Sequence, residues 1–258
     1  MSDHNNPLFN QSLEKGLAVL RGFGAARRTM NLADIAQVAG ISKSSAQRMV
    51  HTLEELGYVR KHPQSRRFPL TPKVMEIGYN YLAADILVDV ANPYLAELNQ
   101  LTGETVNLTE PDGVSMVFVA RFAAPKFIPI HMPIGSRIPM YLSGGGRAYL
   151  SGLADEDVHA ILNASEITAF THYTLTDPAA IFERILTARI KGYATNKEEM
   201  FLGDMTLAAP IYGSNGTPVA AVHVVAPSSR WSMEEAEDKM SSAIIQCARA
   251  ISTSIRTL

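Results

Sequence analysis

The sequence predicts an α+β protein in two parts. A small N-terminal module combines three helices with a basic hairpin, and beyond a connecting helix lies a larger domain in which helices flank a largely antiparallel sheet. Three observations predict this. At 258 residues the chain exceeds the roughly 100–200 residues usual for one domain, and its 47% apolar content can build ordinary soluble cores. Residues 1–72 carry ten Lys or Arg against five Asp or Glu, a net +5, while the remainder carries thirteen against twenty, a net −7. The apolar pattern is helical up to about Leu101 and turns into runs rich in Val, Thr and Phe from Glu104 onward.

The polar stretch 1–10 is expected to be a disordered tail. Ser12 can cap a first helix with Leu13, Leu17, Leu20 and Phe23 as its inner stripe, ended by Gly22 and Gly24. Asn31 followed by Asp34 reads as a capping pair for a second helix. In LADIAQVAGISKSSAQRMVH, Leu32 to His51, the residues Ala39, Gly40 and Ile41 supply a small residue, a breaker able to take positive φ, and an apolar plug. Ser42 then caps a third helix whose Ala46, Met49, Val50, Leu53 and Leu56 form a buried stripe, closed by Gly57. Tyr58 to Lys61 and Arg66 to Leu70 read as two short strands around a turn at His62 to Ser65. Residues 11–71 are thus expected to form a winged helix-turn-helix.

The outward face of the third helix carries Ser42, Lys43, Ser44, Gln47, Arg48 and His51. Gln and Arg can reach base edges bidentately in a major groove, and Ser and Lys can grip phosphates. Arg66 and Arg67 would do the same from the wing. Any amphipathic hairpin has a solvated polar face, but the basic wing and the charge split favour double-stranded DNA as the partner.

Thr71 and Pro72 are a cap and first helical position, so residues 72–85 are expected to be a linker helix, whose stretch from Lys73 to Ala83 is expected to pass a signal between the two domains. A helix over Ile86 to Leu101 follows, with Pro93 marking a kink or a fresh start. In the domain 86–258, strands are expected at Thr105 to Glu110, Ser115 to Phe122, near Ile128 to Met132, Arg137 to Tyr141, Tyr193 to Asn196, Thr206 to Ile211 and Pro218 to Val225. Ser143 to Leu150 is a glycine-rich start of a helix; further helices are expected at Asp155 to Leu162, at Pro178 to Lys191, and from Ser232 onward.

Little in the chain suggests catalysis. The single Cys247 allows no intramolecular disulfide and reads as a core residue. The seven histidines show no metal-ligand spacing. SGGGR is not a P-loop, because Arg147 is followed by Ala148; it is either an anion site at a helix start or a closely packed turn. Glu198 and Glu199 are adjacent and read as a solvated turn. His223 shares a strand face with Ala221 and Val225, where an internal hydrogen bond is the simplest account. An α+β enzyme carrying an incidental helical hairpin would need a nucleophile, metal cluster or cofactor fingerprint. The start of the chain lacks a secretory signal and no apolar run can span a bilayer, so a cytoplasmic protein is expected.

From Gln11 to the C-terminus, the order and spacing of QSLEKGLAVL, LADIAQVAGISKSSAQRMVHTLEELGYV, SGGGRAYL, GYATNKEE and LAAPI resemble the IclR family of bacterial transcriptional regulators. The resemblance implies a GAF-like effector-binding domain, no cofactor, and dimers or dimers of dimers on an operator, here expected to be an inverted repeat. It also implies control of catabolic genes by a small organic acid in a pocket lined by Gly145, Gly146, Asn196, Thr206 and His223. The family often has Asp where Asn196 stands, and small alcohols or alanine where this chain has Gly144 and Gly145, so its ligand preference does not carry over. The expected arrangement puts a carboxylate at Gly145 and Gly146 against apolar walls such as Met140 and Val225, and His223 tilts the choice towards a hydroxylated aromatic acid.

Overall fold

The computed structural model describes residues 6–125 and 132–256. The chain divides into two compact units, Met1–Ala83 and Ala84–Leu258.

In the first unit, α1 (Gln11–Arg21) is capped by Asn10, whose side chain accepts from Ser12 and Leu13, so the cap lies two residues before the expected Ser12. The expected stripe is also rotated. Leu13 and Leu17 are largely exposed, while Val19 is buried and Leu20 and Phe23 pack against the core. Two stripes fit the helical period here, and Gly16, which lets Met49 of α3 approach, belongs to the one that wins. After β1 (Thr29–Met30), α2 (Leu32–Val38) begins with a full capping box between Asn31 and Asp34. Gly40 takes φ 65° in the turn, and Ser42 caps α3 (Lys43–Glu55) by accepting from the Ser45 amide. Ala46, Val50 and Leu53 face inward, but Leu56 is 53% exposed, because it stands past the last helical turn as the C-cap.

The hairpin after α3 is irregular. Backbone bonds Thr71 to Tyr58, Arg60 to Pro69 and His62 to Arg67 tie its arms together, yet only β2 (Phe68–Pro69) is regular, and it pairs with β1, an element the sequence does not announce. Thr71 caps a 3₁₀ turn, Pro72–Val74, that leads into α4 (Met75–Ala84).

The second unit is a six-stranded antiparallel sheet. α5 (Ile86–Thr102) runs unbroken through Pro93 and ends at Gly103 with φ 67°. β3 (Thr105–Asp112) and β4 (Ser115–Phe122) form a hairpin turned at Gly113. β5 covers only Arg137–Pro139, because Met140–Leu142 tightens into a 3₁₀ turn. The strand expected near Ile128 to Met132 lies, except for Met132, outside the described residues. Then follow α6 (Gly144–Ser151), α7 (Asp155–Ala164), α8 (Pro178–Lys191), β6 (Ala194–Lys197), β7 (Met205–Tyr212), β8 (Pro218–Val225) and α9 (Met233–Arg256). The strand order is β5-β4-β3-β8-β7-β6. α5 and α9 pack together and against the sheet, and α6 packs on β6, β7 and β8 with α8 behind it. The central strands are therefore buried on both faces, which is why β8 reads as a nearly continuous apolar run broken by one histidine. Among the described residues no helix is long and apolar enough to cross a membrane, and no three metal-ligating side chains cluster.

Candidate functional site

On the first unit, α3 presents Lys43, Ser44, Gln47, Arg48 and His51 to solvent, with Ser42 at the cap. Ser42 is engaged with the Ser45 amide and lies 3.1 Å from Ser44 Oγ, so both serines are partly committed to the helix start. No hydrogen bond within the described residues occupies the side chains of Lys43, Gln47, Arg48 or His51, which leaves them available to a groove. The two wing arginines differ. Arg66 sits at the hairpin tip with φ 53°, exposed and with its guanidinium unengaged. Arg67 bonds Thr29 O and Asp34 Oδ2 through Nη2, both at 2.8 Å, and Thr29 Oγ1 through Nε at 3.1 Å. Asp34 is also the capping-box acid of α2, so Arg67 staples the wing to the helix start and is largely spent within the fold. Arg66 is thus the wing arginine whose guanidinium is unengaged.

On the second unit a cavity opens between the start of α6 and a row of buried β3, β8 and β7 side chains. Ser143 caps α6 by accepting from the Gly146 amide, so that donor is taken. A Cβ at Gly146 would lie 2.3 Å from Met140 O: this glycine faces the 3₁₀ turn behind the helix, and the expectation that it would meet a ligand is corrected. Gly144 and Gly145 line the cavity instead, and as the first two helical residues they have no intrahelical acceptor for their amides. A Cβ at Gly144 would meet Thr206 Oγ1 at 2.5 Å, and one at Gly145 would meet His223 Nδ1 at 3.2 Å. These two atoms are buried and have no hydrogen-bond partner. Two orphaned polar atoms beside two free amides is a costly arrangement in an apolar interior, and a ligand would relieve it.

Asn196 also lines the cavity, but its Nδ2 donates to Leu142 O at 2.8 Å and so pins the turn before α6, which leaves Oδ1 for a ligand. Val225 is a wall as expected; Met140 is not, being packed in the core behind α6, and Phe118, Ile138, Leu142 and Met200 take its place. Sequence reasoning missed Arg121 and Asp204. Arg121 on β4 bonds Asn107 Oδ1 and Met132 O, and no carboxylate among the described residues pairs with it; burial lowers its pKa. Burial alone pushes the Asp204 carboxyl up to about 6. Burial, and secondarily the Arg121 charge, push His223 down to about 4, so the ring is neutral at pH 7. Arg121 lies in the strand ARF, where simple alternation would group it with Val119; a bulge opposite Leu108 and Thr109 passes over Val119 and brings Arg121 to the face of Phe118, beside Asn107.

Glu199 overturns its reading as a solvated turn residue. It is 5% exposed and forms a bidentate pair with Arg147, at 2.5 and 2.7 Å, while Arg147 Nε donates to Tyr141 O. The pair joins α6 to the segment carrying Met200 and Phe201, two cavity residues. A lone arginine in an otherwise apolar helix was the available signal, since a charge buried there demands a partner.

The profile of the IclR helix-turn-helix domain matches residues 12–63, and that of the bacterial transcriptional regulator IclR C-terminal domain matches residues 79–253. The chain belongs to the IclR family. The Pca regulon regulatory protein of Pseudomonas putida, one IclR-like relative, is 30% identical over 245 residues, 95% of this chain and 84% of that protein. A solved structure of a transcriptional regulator from Rhodococcus sp. RHA1 is 34% identical with a TM-score of 0.84, covering 96% of this chain and 99% of that one. An IclR homolog from Microbacterium hydrocarbonoxydans, complexed with 4-hydroxybenzoate, shares the fold at 21% identity and a TM-score of 0.79, covering 96% and 100% of the two chains. As an IclR-family member the chain is a DNA-binding transcriptional regulator rather than an enzyme.

Proposed function

We propose that this regulator binds an inverted-repeat operator as a homodimer, or a dimer of dimers, and that a small organic acid in the second unit controls it, with catabolic genes as targets. One recognition helix reads only a few base pairs, and a two-fold pair supplies the rest of the specificity. The observation that carries the effector half is the convergence in one cavity of the free Gly144 and Gly145 amides, the unpartnered Thr206 Oγ1 and His223 Nδ1, and Arg121, which no carboxylate among the described residues pairs. The two amides and Arg121 offer donors only, Thr206 Oγ1 and a neutral His223 can each donate or accept, and a carboxylate is the common small group that accepts from several donors at once.

Size favours a compact acid. The cavity holds about 40 Å³ of water-accessible volume, against the roughly 150 Å³ of an apolar cavity that takes benzene. The fewer atoms the acid carries, the less the walls must give, so a two- or three-carbon acid asks least of the cavity. An aromatic acid needs Met132 and Met200, flexible side chains on the wall, to swing aside. The second reading, a hydroxylated aromatic acid, is supported by the 4-hydroxybenzoate complex of the Microbacterium protein, which has the same fold.

Titration calorimetry of the full chain with pyruvate, propionate, benzoate and 4-hydroxybenzoate tests the effector half; absence of heat with all four overturns it. For the DNA half, Gln47→Ala and Arg48→Ala are each expected to weaken specific operator binding by about 1–3 kcal/mol if the side chain reads a base. Unchanged affinity in both would remove α3 from the groove.

A further inference from the structure

We propose that Arg121, Asn107 and His223 form a polarity-setting relay, which holds the His223 proton on Nδ1, aimed at the start of α6, so that the ligand group seated there is an acceptor such as a carboxylate and not a donor. The ligand half of this inference rests on the acid reading above; the tautomer half does not.

The three residues stand side by side by register: Asn107 on β3 is paired with Arg121 on β4 and with His223 on β8. Such directly opposed residues project on one face within reach of each other. Arg121 Nη1 donates to Asn107 Oδ1 at 3.5 Å, and Asn107 Nδ2 lies 3.1 Å from His223 Nε2. A guanidinium has only donors, so the amide oxygen faces Arg121 and the amide nitrogen faces the histidine. That nitrogen is itself only a donor, so Nε2 must accept, and the single proton of a neutral imidazole goes to Nδ1. Nδ1 is the buried atom left without a partner beside Gly145. Phe118 packs edge-on against the ring, with centroids 5.3 Å apart, and fixes its plane.

Charge supports the same state. Arg121 is the cation beside the ring, β3 presents the neutral Thr105, Asn107 and Thr109, and the start of α6 presents glycines. Arg147 of α6 is consumed by Glu199, and Asp204, before β7, is the other ionisable group that lines the cavity among the described residues. Burial and Arg121 keep the ring neutral to about pH 4. The relay makes Arg121 a positioning residue, which acts on the ligand through Asn107 and His223.

The test is the side-chain ¹⁵N spectrum of His223 in the full chain labelled with ¹⁵N-histidine, with His223→Gln supplying the assignment. The expected pattern is a pyrrole-type Nδ1 and a pyridine-type Nε2 that do not titrate between about pH 8 and about pH 5. Arg121→Met frees the amide to turn over and is expected to give a mixture of both tautomers. Asn107→Asp supplies an acceptor to Nε2 and is expected to raise the ring's titration into the neutral range. A wild-type ring protonated on Nε2, or an Arg121→Met spectrum identical to wild type, overturns the relay. Calorimetry with propionate and propylamine, and with benzoate and benzylamine, reads the ligand half: the acid of each pair is expected to bind at least about tenfold more tightly. If neither acid binds while the ¹⁵N pattern is as expected, the ligand half falls together with the acid reading and the relay stands.

Discussion

A methyl group at Gly146 would stand 2.3 Å from Met140 O and 2.4 Å from Met140 Cα, both backbone atoms that cannot step aside. At Gly145 the nearest atoms are side-chain ones, Thr109 Oγ1 at 3.0 Å and His223 Nδ1 at 3.2 Å. Gly146→Ala is therefore expected to destabilise the second unit by about 1–3 kcal/mol, seen as a lowered melting temperature. Gly145→Ala is expected to melt close to wild type but to lose acid binding at least about tenfold, because its methyl occupies the space the ligand needs. If the two variants melt alike, the assignment of one glycine to packing and the other to the ligand is wrong. Asp204 and His223 give opposite pH slopes. The Asp204 carboxyl is raised from 3.8 to about 6, so the native state binds the extra proton between those values and stability falls as pH rises through them. His223 is lowered from 6.5 to about 4, so the unfolded state binds the extra proton and stability falls as pH drops below 6.5. Asp204→Asn is thus expected to gain on the order of 1–3 kcal/mol at pH 7, with the gain vanishing below about pH 4. The same variant should lose stability between pH 6.5 and about 4 more steeply than wild type, with the His223 slope no longer opposed.

Among the elements, the wing shows what a sequence can and cannot announce. Asn31, Ser42, Gly40 and Gly57 act locally, through caps and positive φ, and were legible because each needs only its own neighbours. β1 was not legible: two residues, Thr29 and Met30, become a strand only because β2 arrives from 38 residues away, a distance that Arg67 and Thr29 bridge directly. The cavity divides the same way. The glycine-rich helix start and His223 were visible as residue types, whereas Arg121, Asp204 and the burial of Glu199 follow from strand register and packing that no local pattern encodes. For the wing, Arg66→Ala is expected to leave the melting temperature unchanged and to reduce the salt dependence of operator binding by about one counterion. Arg67→Ala is expected to do the reverse, costing the first unit about 1 kcal/mol, a value kept modest because the ion pair with Asp34 is more than a third exposed. A salt slope altered by Arg67→Ala and not by Arg66→Ala would exchange the two roles.

At the scale of the whole molecule, a +5 head and a −7 body mean that the operator is attracted by one part of the chain and repelled by the other. If the acid controls the operator, the two ligands share one coupling free energy, and each must change the affinity of the other by the same factor. Fluorescence anisotropy of an operator duplex, with and without saturating acid, is expected to show a shift within the 5- to 150-fold range that about 1–3 kcal/mol of coupling gives. Calorimetry of the acid, with and without duplex, should return the same factor. Equal operator affinity in both conditions would leave a DNA-binding protein whose cavity is not a control site.

The middle of the six-stranded sheet joins Thr105–Thr109 of β3 to Ala221–Val225 of β8, a pairing that spans more than a hundred residues of chain. During synthesis, β3 and β4 emerge early and can form their hairpin, but β3 keeps a bare edge until β8 leaves the ribosome. Until then that edge is open to pairing with another nascent chain. His223 and Val225 are among the last cavity residues to arrive, so no ligand can bind a chain halted before them. A ligand present in the cell would stabilise only the finished domain, and if the proposed acid is that ligand, it would also raise the yield of molecules that escape misassembly.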